Sequence, residues 1–302
     1  MIVLLCSVYI AVCAIAYGAL DSFYVGDLLH SLRGQLLLSC ILLAVLLQIK
    51  NKYLGSVALV ISGLLITSHY FYSLGFDTEV KNDVLSVKQI NLRYTNNNLI
   101  EHFTDFNSDD RDLFILLEFS DKNRAQFAKI KPLFSRYGYK EIEGFPMGVA
   151  VISRYPIVYR QFVQVDGPKV GYVHLKILVT DRIVDIVVFH PPSPRNEKLW
   201  KQRNKLLTEV GALLKELGSL WVMAGDFNTV FWSRYLNTTL GKWCYSTKGY
   251  HTTWRSVESI PAIIGGLAID HCAVSREINI NEFDVFPFTG SDHSVLTYKL
   301  SF

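Results

Sequence analysis

LWVMAGDFN, residues 220–228, carries an apolar strand-like run into a Gly-Asp turn, and FTGSDHSVLTYKL, residues 288–300, sets Asp292 and His293 just before a second such run, SVLTYKL. Two Asp-centred turns at strand ends, one with a histidine, suit metal-assisted attack on a phosphate. Carboxylates hold a hard cation and a nearby imidazole handles a proton. Further stretches rich in β-branched and large apolar residues read as strands: 84–90, 113–119, 148–153, 172–180, 183–189 and 267–275. EKLWKQRNKLLTEVGALLKELG reads as an amphipathic helix, with Leu199, Leu206, Val210, Leu213, Leu214 and Leu217 at three- and four-residue steps and Gly218 ending it. A weaker helix is expected over Lys122 to Tyr137. The interleaving of strands and helices predicts an α/β domain.

Polar residues stand at the ends of these strands. Asn91 follows VLSVKQI, Glu118 follows LFILL, His190 follows IVDIVVF, Asp226 and Asn228 follow LWVMAG, and Asp270 and His271 lie within GLAIDHCAV. A sheet holds such groups rigid, and several of them can converge on one cleft. Each taken singly is a turn Asp or a packed core His. The joint pattern carries the weight.

The chain has 302 residues, half of them apolar, which excludes a disordered protein. The apolar surplus gathers at the N-terminus, in 1–20, 34–49 and 54–74. Crossing a bilayer takes about 20 helical residues, so the sequence predicts three transmembrane helices in a membrane anchor over 1–76, followed by one large domain over 77–302. No basic residue precedes the first run, and two more follow it, against a cleaved signal peptide. Lys50 and Lys52 between the second and third runs, against Arg33 alone in the first link, place that second link inside and everything after Leu74 outside. Lys81 and Lys88, beyond the third run, weigh the other way.

Setting aside Asp21, Asp27, Arg33, Lys50 and Lys52 leaves 27 basic and 25 acidic residues in the C-terminal part. That balance offers no electrostatic footprint for nucleic acid. Of five cysteines, Cys6, Cys13 and Cys40 lie in apolar runs. Cys244 and Cys272 are expected as two buried free thiols, with a disulfide as the alternative, since a core of this size needs no staple.

In order and spacing, GDFN, SDH, the Glu after an apolar strand, HPP at His190 to Pro192, and Thr253-Trp254 followed by Asp270-His271 resemble the endonuclease/exonuclease/phosphatase (DNase I-like) superfamily over about residues 84–302. The resemblance implies a four-layer sandwich of two mixed β-sheets flanked by helices, and a Mg²⁺ site with Mn²⁺ as the alternative ion. Glu118 would be the principal metal ligand, with Asn91 and Asp292 completing or bordering the site. Asp226 and Asn228 would position the attacking water and bind phosphate, His190 would bind a phosphoryl oxygen, and Asp270 would orient His293. A cation and two imidazoles around the phosphoryl oxygens match the charge that builds up in in-line displacement. Arg93 stands where some family nucleases carry an acid, which favours a single metal. His271, on the opposite strand face from Asp270, is expected to be structural.

Arg195 and Asn196 are read either as contacts to a second phosphate or as a solvated helix start. The aromatics Phe231, Trp232, Tyr235, Trp243, Tyr245, Tyr250 and Trp254 are read as a small core, or else as a rim at the membrane interface.

An enzyme tethered this way works close to lipid head groups. A membrane-anchored branch of the superfamily, associated with polyprenyl pyrophosphate phosphatase activity and glycopeptide-antibiotic resistance, has a similar layout of three N-terminal spans. The resemblance therefore implies a lipid-linked phosphate ester or pyrophosphate as substrate. A surface nuclease cleaving DNA or RNA is the alternative, and a non-catalytic membrane scaffold is a third reading that the intact polar set opposes.

Overall fold

The computed structural model describes residues 1–70, 79, 81, 83–96, 99–138, 148–236, 241–244, 251–257 and 260–302. Three expectations fall outside them: the anchor boundary at 76/77, and Tyr245 and Tyr250 of the aromatic cluster.

Four helices come first: α1 (Ile2–Ala16), α2 (Tyr24–Ser31), α3 (Arg33–Lys50) and α4 (Lys52–Tyr70). α3 and α4 are long and apolar enough to cross a membrane. The first apolar run yields only the 15-residue α1 before the chain turns at Tyr17 and Gly18, short of the roughly 20 residues a span takes. α2 has no counterpart in the sequence reading, which took 21–33 as a link.

Two six-stranded mixed sheets follow. The first runs in the order β13 (Asn279–Pro287), β14 (Ser294–Ser301), β1 (Val84–Asn91), β2 (Leu113–Leu117), β4 (Ala150–Ser153), β3 (Ser135–Tyr137). The second runs β5 (Ile157–Gln164), β6 (Gly171–Val179), β7 (Arg182–Phe189), β8 (Trp221–Asp226), β12 (Asp270–Val274), β9 (Lys242–Trp243). β10 (Trp254–Arg255) and β11 (Gly266–Leu267) form a small ribbon. Helices α5 (Leu99–Ser108) and α6 (Arg124–Phe127) cover the first sheet, and α7 (Glu197–Glu216) covers the second.

Strand alternation builds the layers. Leu113, Ile115 and Leu117 of β2 meet Val184, Ile186 and Val188 of β7 in the central core. Phe114 and Leu116 face outward to Phe106 and Phe127, while Val187 and Phe189 face Leu206 and Val210 of α7. Two mixed sheets flanked by helices are thus the architecture, as the resemblance implied.

β5 and β13 were missed because both are edge strands, and exposed residues dilute their apolar content. The helix expected over Lys122–Tyr137 is corrected. After one turn of 3₁₀ helix and the four-residue α6, Lys131 takes φ 44°, Pro132 follows, and the chain becomes β3. The expected strand 267–275 is split, because the amides of Ile269 and Asp270 donate to Thr253 Oγ1.

The free-thiol expectation for Cys244 and Cys272 is also corrected. β12 holds Cys272 beside the residue that follows β9, with Cα atoms 5.2 Å apart, and the two form a disulfide. Closing that 28-residue loop constrains the unfolded chain by about 3.5 kcal/mol. Cys272→Ala should therefore lower stability by about 2–4 kcal/mol in denaturant melts. Reductant should lower the wild-type midpoint by a similar amount and leave the variant unmoved; equal melts with and without reductant would contradict the pairing.

Candidate active site

The parallel pairs set the location. β1 and β2 run side by side, as do β7 and β8, and all four end at the same edge of the central core. Their last or following residues are Asn91, Glu118, His190 and Asp226. β12 runs antiparallel to β8 with Asp270 opposite Asp226, and β14 runs antiparallel to β1 with His293 just ahead of it. Gln89 Nε2 donates across the sheets to the Gly225 carbonyl at 2.9 Å.

The GDFN turn is fixed by local contacts. A Cβ on Gly225 would lie 2.0 Å from the Phe189 carbonyl oxygen, so only glycine lets β8 approach β7 here. Asp226 Oδ1 accepts from the Asn228 amide at 2.9 Å, Phe227 stacks on Phe189, and Asn228 Nδ2 donates to the Pro191 carbonyl at 3.0 Å. The SDH turn is tied to β1 by Ser291, whose hydroxyl donates to the Asn91 carbonyl and accepts from the His293 amide. Arg93, Glu118 and Asn228 take φ of 61°, 52° and 49°, three of the five non-glycine residues in that region among the described residues. Such conformations persist where surrounding structure over-determines them, and they cluster at functional sites.

The side chains form one network. Asn91 Nδ2 donates to Asp226 Oδ2 at 3.1 Å and to Glu118 Oε1 at 3.3 Å. His190 Nε2 lies 3.5 Å from Asp226 Oδ2 and 4.0 Å from Glu118 Oε1. His293 Nδ1 is 2.8 Å from Asp270 Oδ2, which leaves Nε2 directed at Asp226 Oδ2, 3.7 Å away. Burial, then the neighbouring Asp270 charge, pushes the Asp226 carboxyl up to about 6. Burial alone would lower His293, but Asp270 and Asp226 outweigh it and raise the imidazole to about 10. His271 points away, held by the Thr229 carbonyl at 2.8 Å, and burial lowers it to about 4, which makes it a neutral structural group.

All eight expected residues lie at this edge, in different postures. Glu118, His190, Asp226, Asn228, Asp292 and His293 line a cleft of about 1010 Å³. Asn91 and Asp270 stand behind them, buried. Asp292 turns to Trp254, whose Nε1 donates to Oδ2 at 3.0 Å, and to Arg93, whose Nε is 3.8 Å from Oδ1. Arg93 thereby sets a cation, half exposed, beside the Asp292 carboxylate.

The donor set fits a hard divalent cation: oxygen ligands from Glu118 and the neighbouring aspartates, and no thiolate. Asn91 Oδ1 accepts from the Arg93 amide at 3.1 Å, which takes up one of its two lone pairs. Asp226, Asp270 and His293 also place ligand atoms within 4.8 Å of one another, though the hydrogen bond between His293 and Asp270 already occupies part of that set.

Of the residues read two ways, Asn196 caps α7 through Oδ1 to the Leu199 amide, while Arg195 lines the cleft. Phe231, Tyr235 and Trp243 belong to the core around α7, whereas Trp232 donates to the His30 carbonyl of α2 at 2.9 Å.

Thr253, part of the Thr253-Trp254 motif, anchors the start of β12. Two groups escaped the sequence reading. Arg203 of α7 is buried and donates from Nη1 to the Asn228 carbonyl at 3.0 Å. Leu28, Ser31 and Leu32, in and just after α2, form part of the cleft wall. Arg203 had a signal: it falls on the apolar stripe between Leu199 and Leu206, where a charge must be paired.

A model of the Endonuclease/Exonuclease/phosphatase family matches residues 88–293, and the chain belongs to this family. That membership makes it a metal-dependent phosphoesterase. No curated protein matches it in sequence. Among solved structures it is similar to TDP2 of D. rerio in complex with a single-strand DNA product, at 14% identity, TM-score 0.61, covering 73% of this chain and 100% of that one. A family protein from Bacteroides thetaiotaomicron is 20% identical at TM-score 0.53, covering 72% and 97%. Beta toxin from Staphylococcus aureus with bound magnesium ions is 14% identical at TM-score 0.51, covering 72% and 99%. These likenesses concern the fold.

Gly225→Ala tests the close approach that holds the site's two sheet-end turns together. It should cost about 3 kcal/mol or more in chemical denaturation, since the clash is with backbone. A loss below about 1 kcal/mol would mean that β7 and β8 part easily at this point.

Proposed function

We propose that this protein is a membrane-anchored, Mg²⁺-dependent phosphoesterase that hydrolyses a lipid-linked phosphate ester or pyrophosphate. One observation carries the proposal: the cleft that holds Glu118, His190, Asp226 and His293 is also lined by Leu28 and Leu32, which lead directly into the membrane-length helix α3. A substrate with a phosphate at one end and an apolar chain at the other suits such a cleft.

In this mechanism Glu118 is the principal metal ligand, with Asn91 and Asp292 at its border, and the bound ion supplies charge neutralisation at the phosphoryl oxygens. Mn²⁺ is the alternative ion. Asp226, held by the Asn228 amide, orients and deprotonates the attacking water. His190 donates to a phosphoryl oxygen. His293, kept protonated by Asp270, stabilises the charge of the transition state. Asn228 helps hold the phosphate from the same turn.

The anchor is proposed as residues 1–76 with three spans, α3 and α4 at membrane length and α1 as a shorter third, and residues 77–302 as the catalytic domain on the extracytoplasmic side. The lysines at 50 and 52 support that orientation. Nucleic acid is the second substrate, favoured by the likeness to a DNA-bound TDP2, while the balanced charge of the domain weighs against it.

The test is product formation by the full chain in detergent, read as phosphate freed from polyprenyl pyrophosphate and phosphoinositides, phosphocholine freed from sphingomyelin and nicking of plasmid DNA, with and without Mg²⁺. Turnover of a lipid phosphate, abolished by chelator, is expected; turnover of DNA alone would move nuclease to first place. Glu118→Gln should remove activity at ordinary Mg²⁺, because a neutral amide is a poor partner for a hard cation. Near wild-type turnover in that variant at limiting Mg²⁺ would displace Glu118 from the metal site.

Orientation is read separately: alkaline phosphatase fused after Phe302 should be active and green fluorescent protein dark. A bright cytoplasmic fusion would reverse the topology and bring cytosolic-leaflet lipids forward.

A further inference from the structure

α2 is tied into the catalytic domain by a buried charge. Asp27 Oδ2 accepts from Arg203 Nη2 at 2.5 Å and from Trp200 Nε1 at 3.0 Å, and the two charged side chains are 0% and 1% exposed. Arg203 divides its remaining donors between Asn204 Oδ1, from Nε and Nη2, and the Asn228 carbonyl, from Nη1. Asn228 holds the left-handed turn that follows Asp226 and gives that residue's Oδ1 its amide hydrogen bond. An unbroken chain of short polar contacts thus runs from the N-terminal helices to the GDFN turn. Further contacts seat the same segment: His30 of α2 with Trp232, and Asp21 of the turn before it with Arg234 at 3.0 Å.

We propose that Asp27 is a positioning residue for the GDFN turn: its carboxylate orients Arg203, whose guanidinium fork fixes the Asn228 carbonyl, so the N-terminal segment is a structural part of the active site as well as a tether. The proposal rests on reading Asp226 and Asn228 as catalytic. The physical case is geometric. A guanidinium is a planar fork that can bond a carboxylate and a carbonyl at once, and with its charge matched inside the protein it has little freedom to turn. Without Asp27, Arg203 is a buried cation that must find another partner, and the carbonyl it holds is released with it. Displacements of about 1 Å at an active site can lower rates about a hundredfold.

The experiment uses the full chain in detergent, with bis(p-nitrophenyl) phosphate as a water-soluble probe that makes no demand on a lipid wall. Asp27→Asn keeps the size and removes the charge. It should lower kcat about 10- to 100-fold with KM within about twofold. Hydrogen exchange of the amides at 226–229 should accelerate at least about tenfold, while peptides from β6 and β7 stay at the wild-type rate. Arg203→Lys keeps the ion pair and removes the fork, so it should show the same kcat loss and the same local exchange with a smaller change in melting. The double variant should lose no more than the worse single one.

Wild-type kcat and wild-type exchange at 226–229 in Asp27→Asn would overturn the proposal, as would losses that multiply in the double variant. If Asp27→Asn does not fold, Arg203→Lys decides by the same two readouts. A wild type inactive on this diester and on p-nitrophenyl phosphate alike would sink the phosphoesterase reading, while the exchange measurement still tests the link from Asp27 to Asn228.

Discussion

Everything at the site depends on two sheets sharing one apolar layer with their parallel pairs ending at the same edge. β1 with β2 and β7 with β8 point their C-terminal ends the same way, and the Gln89 side chain bonds the Gly225 carbonyl across the layer. With that register set, Asn91, Glu118, His190 and Asp226 meet without any loop having to carry them there. Rigid strands fix their positions more tightly than loops could, as chemistry on a phosphate requires. The glycine at 225 is what this convergence demands of the backbone, because any side chain there would collide with the carbonyl of Phe189.

Once the acids are packed together out of water, electrostatics assigns their states. Asp226 and Asp270 are buried beside each other, and the arrangement is tolerable because His293 sits between them as a cation and His190 stands at the mouth. Burial raises Asp226 towards neutrality at the same time as two carboxylates hold the His293 proton. A divalent cation near Glu118 would complete this balance by offsetting the remaining negative charge. A second buried pair, Asp27 with Arg203, bonds the same turn at the Asn228 carbonyl, so two charge networks meet at GDFN.

Much of the site was legible because its residues follow strand-like runs that can be read by composition. Glu118 after LFILL, His190 after IVDIVVF and Asp226 after LWVMAG are all placed where expected. Edge strands β5 and β13 were not legible, since exposed polar residues interrupt their periodicity. α2 was not legible either: at eight residues it is too short to build a clear periodic signal beside two long apolar runs. The pairing of Cys244 with Cys272 depended on β9 lying against β12, a long-range contact that composition does not encode.

The sequence by itself determined the chemistry available: oxygen ligands, two imidazoles and a family motif set, with apolar segments of membrane length ahead of them. Local pattern suffices for that, because strand ends, turns and hydrophobic runs are properties of neighbouring residues. Tertiary structure decided which atoms of those residues face one another. It turned Asp292 to Trp254 and Arg93, put Asp270 behind His293, and brought Asp27 across 176 positions of chain to Arg203. Those contacts join segments far apart in sequence, and only the packing of sheets and helices around common cores fixes the distances between them.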